Sequence, residues 1–95
     1  MKYILLGTLG ASSLSRQEKR TTNARKKLKD LGIKLESVYY TQGQYDFVDV
    51  VEAPSAEAIL AFSVWYGLQG YGKIVTCPAF DERTMVKALK QGGVR

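Results

Sequence analysis

The sequence predicts a single α+β domain in which two helices cover one face of a four-stranded antiparallel sheet. Three observations lead to this prediction. Strand-like and helix-like stretches alternate along the chain, Gln42-Gly43 marks a tight turn between two strands, and 95 residues suffice for one domain only. Apolar residues make up 45% of the chain, a share typical of an ordered globular protein.

The first third of the chain predicts a strand followed by a basic helix. Residues 2–9 carry apolar side chains on both alternating faces, which is typical of a central strand covered on both sides. The helix is expected over residues 14–31 and ends at Gly32, because glycine suits left-handed geometry. Its charged faces should lie in solvent. Its buried stripe should consist of Leu14, Thr21, Ala24, Leu28 and Leu31.

The middle of the chain predicts a β-hairpin. Strands over residues 33–41 and 44–53 meet at Gln42-Gly43, because glycine at the second position suits a two-residue type I′ turn. Since successive side chains of a strand point to opposite faces, this turn fixes which residues share a face.

In the predicted register Tyr40 pairs with Tyr45, and Tyr39 pairs with Asp46. The face expected to pack on the core carries Ile33, Leu35, Ser37, Val48 and Val50. The opposite face then carries Lys34, Glu36, Val38, Tyr40, Tyr45, Phe47, Asp49 and Val51.

The last part of the chain predicts a helix, a strand and a short final helix. Ser55 is expected to cap the second helix, and its buried stripe should consist of Ala56, Ile59, Leu60 and Ser63. A strand over residues 72–80 follows. Asp81 then caps a helix with apolar residues Met85, Val86 and Leu89. The resulting βαββαβ order is that of the ferredoxin-like fold. We expect residues 1–91 to form the domain and residues 92–95 to form a flexible tail.

This arrangement leaves one face of the sheet without helices. The predicted open face holds several apolar side chains, and an apolar surface of that extent indicates a partner. The simplest partner is the same face of a second copy, because symmetric dimers use one self-complementary patch. We therefore expect a homodimer or a higher homo-oligomer.

Composition argues against several kinds of chemistry. The chain has no histidine, the commonest general base and metal ligand, and its one cysteine, Cys77, cannot form an intrachain disulfide. We expect neither a metal nor a cofactor. No apolar run approaches the roughly 20 residues that a membrane-spanning helix needs, so we expect a cytoplasmic protein that does not contact the membrane.

The net charge of +5 is concentrated on the first helix. Residues 16–30 hold seven basic and two acidic side chains, whereas the charges of the remaining chain balance. Such a helix could contact phosphate groups. Its basic residues are spread around the helix, however, and no nucleic-acid-binding motif accompanies them. We favour a solvated surface and keep nucleic-acid association as a weaker alternative.

The chain also resembles a known family. Gly43-Gln44-Tyr45-Asp46 matches the Gly-x-Tyr-Asp signature of the GYD-domain family of small bacterial and archaeal proteins. Similar stretches occur across residues 2–90 and include 3–9, 38–41, 46–48, 51–54 and 79–80. The resemblance implies a ferredoxin-like fold that associates as a dimeric α/β barrel, and it implies no established activity. Two departures are Asp49, where the family has a small or apolar residue, and the aromatic pair Trp65-Tyr66.

Aromatic and polar side chains at one end of the predicted sheet form a candidate ligand site. Asp46 has a structural alternative, because a carboxylate near the first helix's N-terminus can accept backbone N–H groups. Glu36 and Asp49 should lie opposite each other on the non-helical face. There they form either an acid–base pair or a salt-bridged rim of the dimer interface. The candidate ligand-binding residues are Tyr39, Tyr40, Tyr45, Asp46, Asp49 and Trp65.

The leading functional hypothesis is a homo-oligomeric domain that binds a small molecule, either at the aromatic hairpin end or between subunits. The alternative is a small cofactor-independent enzyme, similar to monooxygenases or isomerases, acting on an aromatic or carbonyl compound. In that case Tyr40 or Tyr45 would donate a hydrogen bond or proton, and Asp46 or Asp49 would act as base. The enzyme hypothesis rests on fold analogy, which carries little functional information.

Overall fold

The strands and helices follow the predicted order. The computed structural model describes residues 1–93. The sheet order is β2-β3-β1-β4 with antiparallel neighbours throughout, which fits the ferredoxin-like fold and makes β1 central. The last two residues of the predicted flexible tail lie outside the described residues. The strands are β1 (Lys2–Leu9), β2 (Lys34–Tyr40), β3 (Phe47–Glu52) and β4 (Gly72–Pro78), and the helices are α1 (Ala11–Leu14), α2 (Gln17–Asp30), α3 (Ala56–Leu68) and α4 (Glu82–Gln91).

The first long helix starts later than predicted. The single turn α1 precedes α2, and Ser13 within it is fully buried. Its hydroxyl donates to the carbonyl of Gly10 at 2.9 Å and to that of Tyr71 at 2.7 Å. These bonds hold the α1 turn against the start of β4. Leu14 is exposed as a result, so its predicted place in the buried stripe is wrong, whereas Leu28 is buried as predicted.

The register of the hairpin differs from the prediction by two residues. Tyr40 pairs with Phe47 and Tyr39 with Val48, so residues 41–46 form a longer connection. The backbone N–H of Asp46 donates to the carbonyl of Gly7 at 2.7 Å, so the contact between β3 and β1 continues to this residue.

A β-bulge at Glu36 changes which residues of β2 face the helices. Leu35 pairs with Val51 and Ser37 with Val50, so Glu36 is an extra residue on β2. Side chains after the bulge switch faces relative to a regular strand. The predicted core face is therefore wrong for Ser37, Val48 and Val50, whereas Ile33 and Leu35 lie on the core side as predicted. The face toward α2 and α3 carries Leu35, Val38, Tyr40, Phe47, Asp49 and Val51.

Gly7 explains why the larger side chains of β3 face the helices. Gly7 pairs with Phe47, and the Phe47 ring covers the glycine so closely that a Cβ would overlap it. Phe47 and Val51 are buried, whereas Val48 and Val50 on the other face are partly exposed. Burying a phenylalanine removes more apolar area from water than burying a valine, which favours this orientation.

Helix α3 supplies the centre of the core. The Ser55 hydroxyl accepts the Ala58 backbone N–H at 3.1 Å, so the predicted cap is confirmed. Ile59, Phe62 and Tyr66 are buried at spacings of three and four residues. Leu60 was predicted to be buried, but it is exposed because it lies on the opposite side of the helix.

Two apolar surfaces of the described chain are not covered. Helix α4 is capped as predicted, since the Asp81 carboxylate accepts the Thr84 N–H at 2.8 Å. No residue of α4 is buried, and Met85, Val86 and Leu89 are exposed. The second surface, called the open sheet face here, is the side of the sheet away from α2 and α3. It carries Ile4, Leu6, Val48, Val50, Val75 and Cys77.

Candidate functional site

A cavity lies between α2, α3 and the helix side of β2 and β3. Its volume is about 50 Å³, enough for a few water molecules or one small chemical group. We call it the Asp49 cavity. Its polar lining consists of Arg20, Thr21, Arg25, Tyr40, Asp49 and Tyr66, and its apolar lining of Ala24, Leu28, Leu35, Val38, Phe47 and Phe62.

Asp49 is the unusual member of this lining. Only 9% of its surface is exposed, and its Oδ1 is the one buried side-chain oxygen or nitrogen without a hydrogen-bond partner in residues 1–93. Its strand neighbours are Leu5 on β1 and Val38 on β2, which provide no polar side-chain atom. Because a buried acceptor without a partner costs free energy, the burial of Asp49 Oδ1 lowers the stability of the fold.

Burial also changes the acidity of this carboxyl group. Loss of solvation raises the pKa of Asp49 from its ordinary value of 3.8 to about 6, and the positive charge of Arg25 opposes that rise. At neutral pH the carboxylate is therefore mostly ionised, but it changes charge in a range where free aspartate does not.

Hydrogen bonds hold the polar wall on α2 in place. Arg20 is only 3% exposed, and its guanidinium donates to the Ser13 carbonyl at 2.7 Å and to Gln17 Oε1. The Gln17 amide donates in turn to the Tyr40 hydroxyl at 2.7 Å. This chain of bonds connects the buried arginine to an exposed tyrosine on β2. It holds both groups in place beside the cavity.

The aromatic wall of the cavity is formed by α3 and β3. The Tyr66 and Phe47 rings meet edge-on with centroids 5.9 Å apart. Burial raises the pKa of Tyr66 to about 12, so this phenol stays neutral and can donate or accept a hydrogen bond. The cavity thus combines an acceptor without a partner, positive charge and apolar walls, which are features of small-ligand sites.

Comparison with known proteins identifies the family. Residues 3–89 match the family described as GYD domain. A protein of Thermus thermophilus named "Glutamine synthetase and cystathionine beta-lyase binding protein" is 30% identical over 92 residues, covering 93% of this chain and 97% of the relative. The chain belongs to the GYD-domain family. The resemblance inferred from residues 43–46 and the surrounding stretches is confirmed.

The GYD signature itself lies at the hairpin tip, outside the Asp49 cavity. Gly43 has φ 125°, a conformation that favours glycine. The Asp46 carboxylate accepts the Leu9 backbone N–H at 2.7 Å, and the Tyr45 carbonyl accepts the Thr41 hydroxyl at 2.7 Å. Asp46 therefore fastens the hairpin to the end of β1, one residue before Gly10, the N-cap of α1. As in the structural alternative, the carboxylate accepts a backbone N–H near the first helix, although that N–H belongs to the strand.

The structure brings only two of the six predicted ligand-binding residues into one cavity. Tyr40 and Asp49 line it together, whereas Tyr39 pairs with Val48 on the open sheet face and is 66% exposed. Trp65 packs against Tyr71 with ring centroids 5.9 Å apart, as part of an aromatic cluster behind the cavity.

The predicted pairing of Glu36 with Asp49 is wrong. Glu36 contacts the ammonium group of Lys2 at 2.8 Å, and the hydrogen bond to Lys2 lowers the Glu36 pKa. Asp49 instead lies opposite Val38 and faces the helices. The β-bulge and the two-residue register difference together separate the two carboxylates, so they do not form an acid–base pair.

Arg20, Arg25 and Tyr66 line the cavity but were not among the six predicted ligand-binding residues, although the aromatic pair Trp65-Tyr66 was noted. Arg20 lies four residues before Ala24 and eight before Leu28, so it continues the buried stripe of α2. That spacing could have identified it, had a charged residue not been assumed to be solvated. No group of residues among 1–93 has the composition and geometry to hold a metal ion, and no helix in that range is long and apolar enough to cross a membrane.

Proposed function

We propose that this protein is a homodimeric small-molecule-binding protein whose ligand enters the Asp49 cavity. The observation that carries the proposal is the buried Asp49 Oδ1 without a partner in an aromatic-walled cavity. A ligand that donates a hydrogen bond to this atom would remove the penalty of its burial.

The homodimer is proposed from the open sheet face. Its central strands present Ile4, Leu6, Val48 and Val50 side by side, and these residues are only partly buried. Packing this face against its equivalent in a second copy would remove apolar area from water and form a dimeric α/β barrel. The Asp49 cavity lies on the other side of the sheet, so dimerisation would leave it accessible.

A ligand screen tests the proposed function. Thermal-shift measurements with a broad set of small metabolites should find compounds that stabilise the wild type, with the effect lost in Asp49→Asn. Tyr45→Phe is the matched control, because Tyr45 belongs to the same hairpin but does not line the cavity. Failure of every compound to distinguish the wild type from Asp49→Asn would refute the small-molecule function.

The dimer has a separate test. Light scattering at micromolar concentration should give twice the mass of 10.6 kDa, and Val50→Lys should give a monomer. A wild-type monomer would refute the proposed assembly without affecting the ligand site.

A second candidate function is docking onto metabolic enzymes. Exposed Met85, Val86 and Leu89 give α4 an apolar face, and the Thermus thermophilus relative is named for binding two enzymes. Purified glutamine synthetase and cystathionine beta-lyase from the source organism should then bind the wild type but not Val86→Glu. Lys87→Gln is the control on the same helix. Docking through α4 would be refuted if the wild type, Val86→Glu and Lys87→Gln all bound the enzymes equally well, or if none of the three bound them.

A further inference from the structure

Arg25 lines the Asp49 cavity and forms no ion pair with another residue among 1–93. Arg25 is exposed on α2 and lines the cavity rim, where its positive charge acts on Asp49. The ion pairs formed within residues 1–93 are those of the Met1 amino group with Glu52 and of Lys2 with Glu36. The Arg25 guanidinium is thus available to a ligand.

The second guanidinium of the cavity has a different role. Arg20 is buried, and its N–H groups are used by the Ser13 carbonyl and the Gln17 side chain. Arg20 therefore contributes positive charge to the cavity but offers few free donors. With Asp49 ionised, two guanidinium groups and one carboxylate face the same space, and the local charge is positive.

We propose, on the basis of the proposed function, that the ligand is a small carboxylic acid with a hydroxyl or amino group on the neighbouring carbon. The hydroxyl or amino group donates a hydrogen bond to Asp49 Oδ1, and the ligand carboxylate pairs with the Arg25 guanidinium at the rim. Asp49 Oδ1 and the Arg25 guanidinium, which both line the cavity, then each have a partner.

Simpler ligands match the cavity less well. An amine without a carboxylate would contact Asp49 but would be repelled by the two arginines and would leave Arg25 unpaired. A carboxylate without a donor would pair with Arg25 but would be repelled by ionised Asp49 and would leave Oδ1 without a hydrogen bond. Only a molecule with both groups satisfies both sites.

The size and walls of the cavity limit the rest of the ligand. A volume of about 50 Å³ encloses only the donor group and the carbon atoms next to it, because it is well below the roughly 150 Å³ that encloses benzene. The rest of the ligand then lies at the rim. Leu28, Leu35 and Phe62 form the apolar wall against which a short branched or linear side chain would pack. Large aromatic acids are therefore expected to bind more weakly than short aliphatic ones.

Four probes that share an isobutyl group test this inference. They are L-leucine, 2-hydroxy-4-methylpentanoate, 4-methylpentanoate, which lacks the donor, and 3-methylbutylamine, which lacks the carboxylate. Affinities at pH 7.5 are measured by titration calorimetry and by NMR shifts with full-length wild type. The same probes are applied to Asp49→Asn, to Arg25→Gln and to the control Lys26→Gln, an exposed α2 residue that does not line the cavity.

We expect the amino acid, the hydroxy acid or both to bind at least 10-fold more tightly than the two probes that lack a group. Asp49→Asn and Arg25→Gln should each weaken that binding at least 10-fold, and Lys26→Gln should leave it unchanged. Comparison of L-leucine with the hydroxy acid shows which donor the site takes. Unchanged NMR spectra of the unliganded Arg25→Gln protein establish that its fold is intact.

Two results would overturn the inference. If 4-methylpentanoate or 3-methylbutylamine binds as tightly as the probes with both groups, the two-point recognition is wrong. If none of the four binds while the broad screen finds another Asp49-dependent compound, the ligand class is wrong and the small-molecule function stands. The proposed function fails only if that screen finds no compound that depends on Asp49.

Discussion

Asp46 and Asp49 lie three residues apart in the same hairpin, but their carboxylates differ in burial and in hydrogen bonding. Asp46 is partly exposed and accepts the Leu9 backbone N–H at 2.7 Å. Asp49 is almost fully buried, and its Oδ1 has no hydrogen-bond partner within residues 1–93. A carboxylate with a partner stabilises the fold, whereas a buried one without a partner destabilises it. The role of the signature aspartate is thus structural, whereas the unpartnered carboxylate of Asp49 is the basis of the proposed ligand site.

The largest expected effect concerns Asp49. Because one pKa unit corresponds to about 1.4 kcal/mol, the rise of its pKa from 3.8 to about 6 makes its ionisation cost the fold about 3 kcal/mol. Asp49→Asn should therefore raise the free energy of unfolding at pH 7 by up to about 3 kcal/mol. Urea titration of both proteins measures the difference. A loss of stability in Asp49→Asn would mean that the native carboxylate has a partner after all.

The same shift predicts a pH dependence with a definite sign. The folded protein holds the Asp49 proton more tightly than the unfolded chain, so this group's stabilising effect is greatest below pH 3.8 and is lost as the pH rises through 6. The other ionisable groups lining the cavity are Arg20 and Arg25 on α2, Tyr40 on β2 and Tyr66 on α3. The difference between wild type and Asp49→Asn should therefore shrink as the pH falls from 7 to 4.

Asp46 should respond in the opposite direction. Asp46→Ala removes the acceptor of the Leu9 N–H, and loss of a charge-assisted hydrogen bond should lower the free energy of unfolding by about 2 kcal/mol. Thermal unfolding of the variant should show a drop of roughly 8–16 °C for a domain of this size. An unchanged melting temperature would refute the anchoring role of Asp46.

A substitution at Gly7 tests why Asp49 faces the core. Gly7→Ala places a methyl group where the Phe47 ring lies, and overpacking of this kind costs about 1–3 kcal/mol. Since Phe47 and Asp49 share a face of β3, displacement of the ring should also change the Asp49 cavity. Backbone NMR shifts should change at both residues. Changes confined to β1 would contradict the proposed packing.

The smallest effect is expected at the cavity rim. Tyr40→Phe removes the hydroxyl that accepts the Gln17 amide at 2.7 Å, on a side chain that is 56% exposed. The cost should be about 0.5 kcal/mol, as for a partly solvated neutral hydrogen bond. Denaturant unfolding compared with Tyr45→Phe checks this value. A cost above 2 kcal/mol would mean that Tyr40 is a core residue.

The fold was predictable because its signals are local. The strand of residues 2–9, the caps at Ser55 and Asp81 and the βαββαβ order all follow from short patterns, and the structure confirms them. The faces of the hairpin were not predictable in this way. They depend on the Glu36 bulge, an extra residue that appears only in the pairing of β2 with β3. The two-residue register difference leaves the faces unchanged, and it accompanies a contact between Asp46 and Gly7, which lie 39 positions apart.

The candidate site was only partly predictable for the same reason. Tyr40 and Asp49 were named as ligand-binding candidates, but Asp49 was placed on the open side of the sheet together with Glu36. Arg20 and Arg25 were interpreted as solvated charge, although Arg20 continues the apolar stripe of Ala24 and Leu28. A buried charged residue is recognised only when its tertiary partners are known, here Ser13 and Gln17.

The most direct test of this account is the pKa of Asp49 itself. Its side-chain carboxyl carbon can be followed by ¹³C NMR from pH 3 to pH 8 in the unliganded protein, with Asp46 as an internal comparison. The account predicts a midpoint of about 6 for Asp49, because burial without a partner disfavours its charge. A midpoint at or below 3.8 would show a solvated or paired carboxylate, and it would contradict the claim that Asp49 is held ready for a ligand.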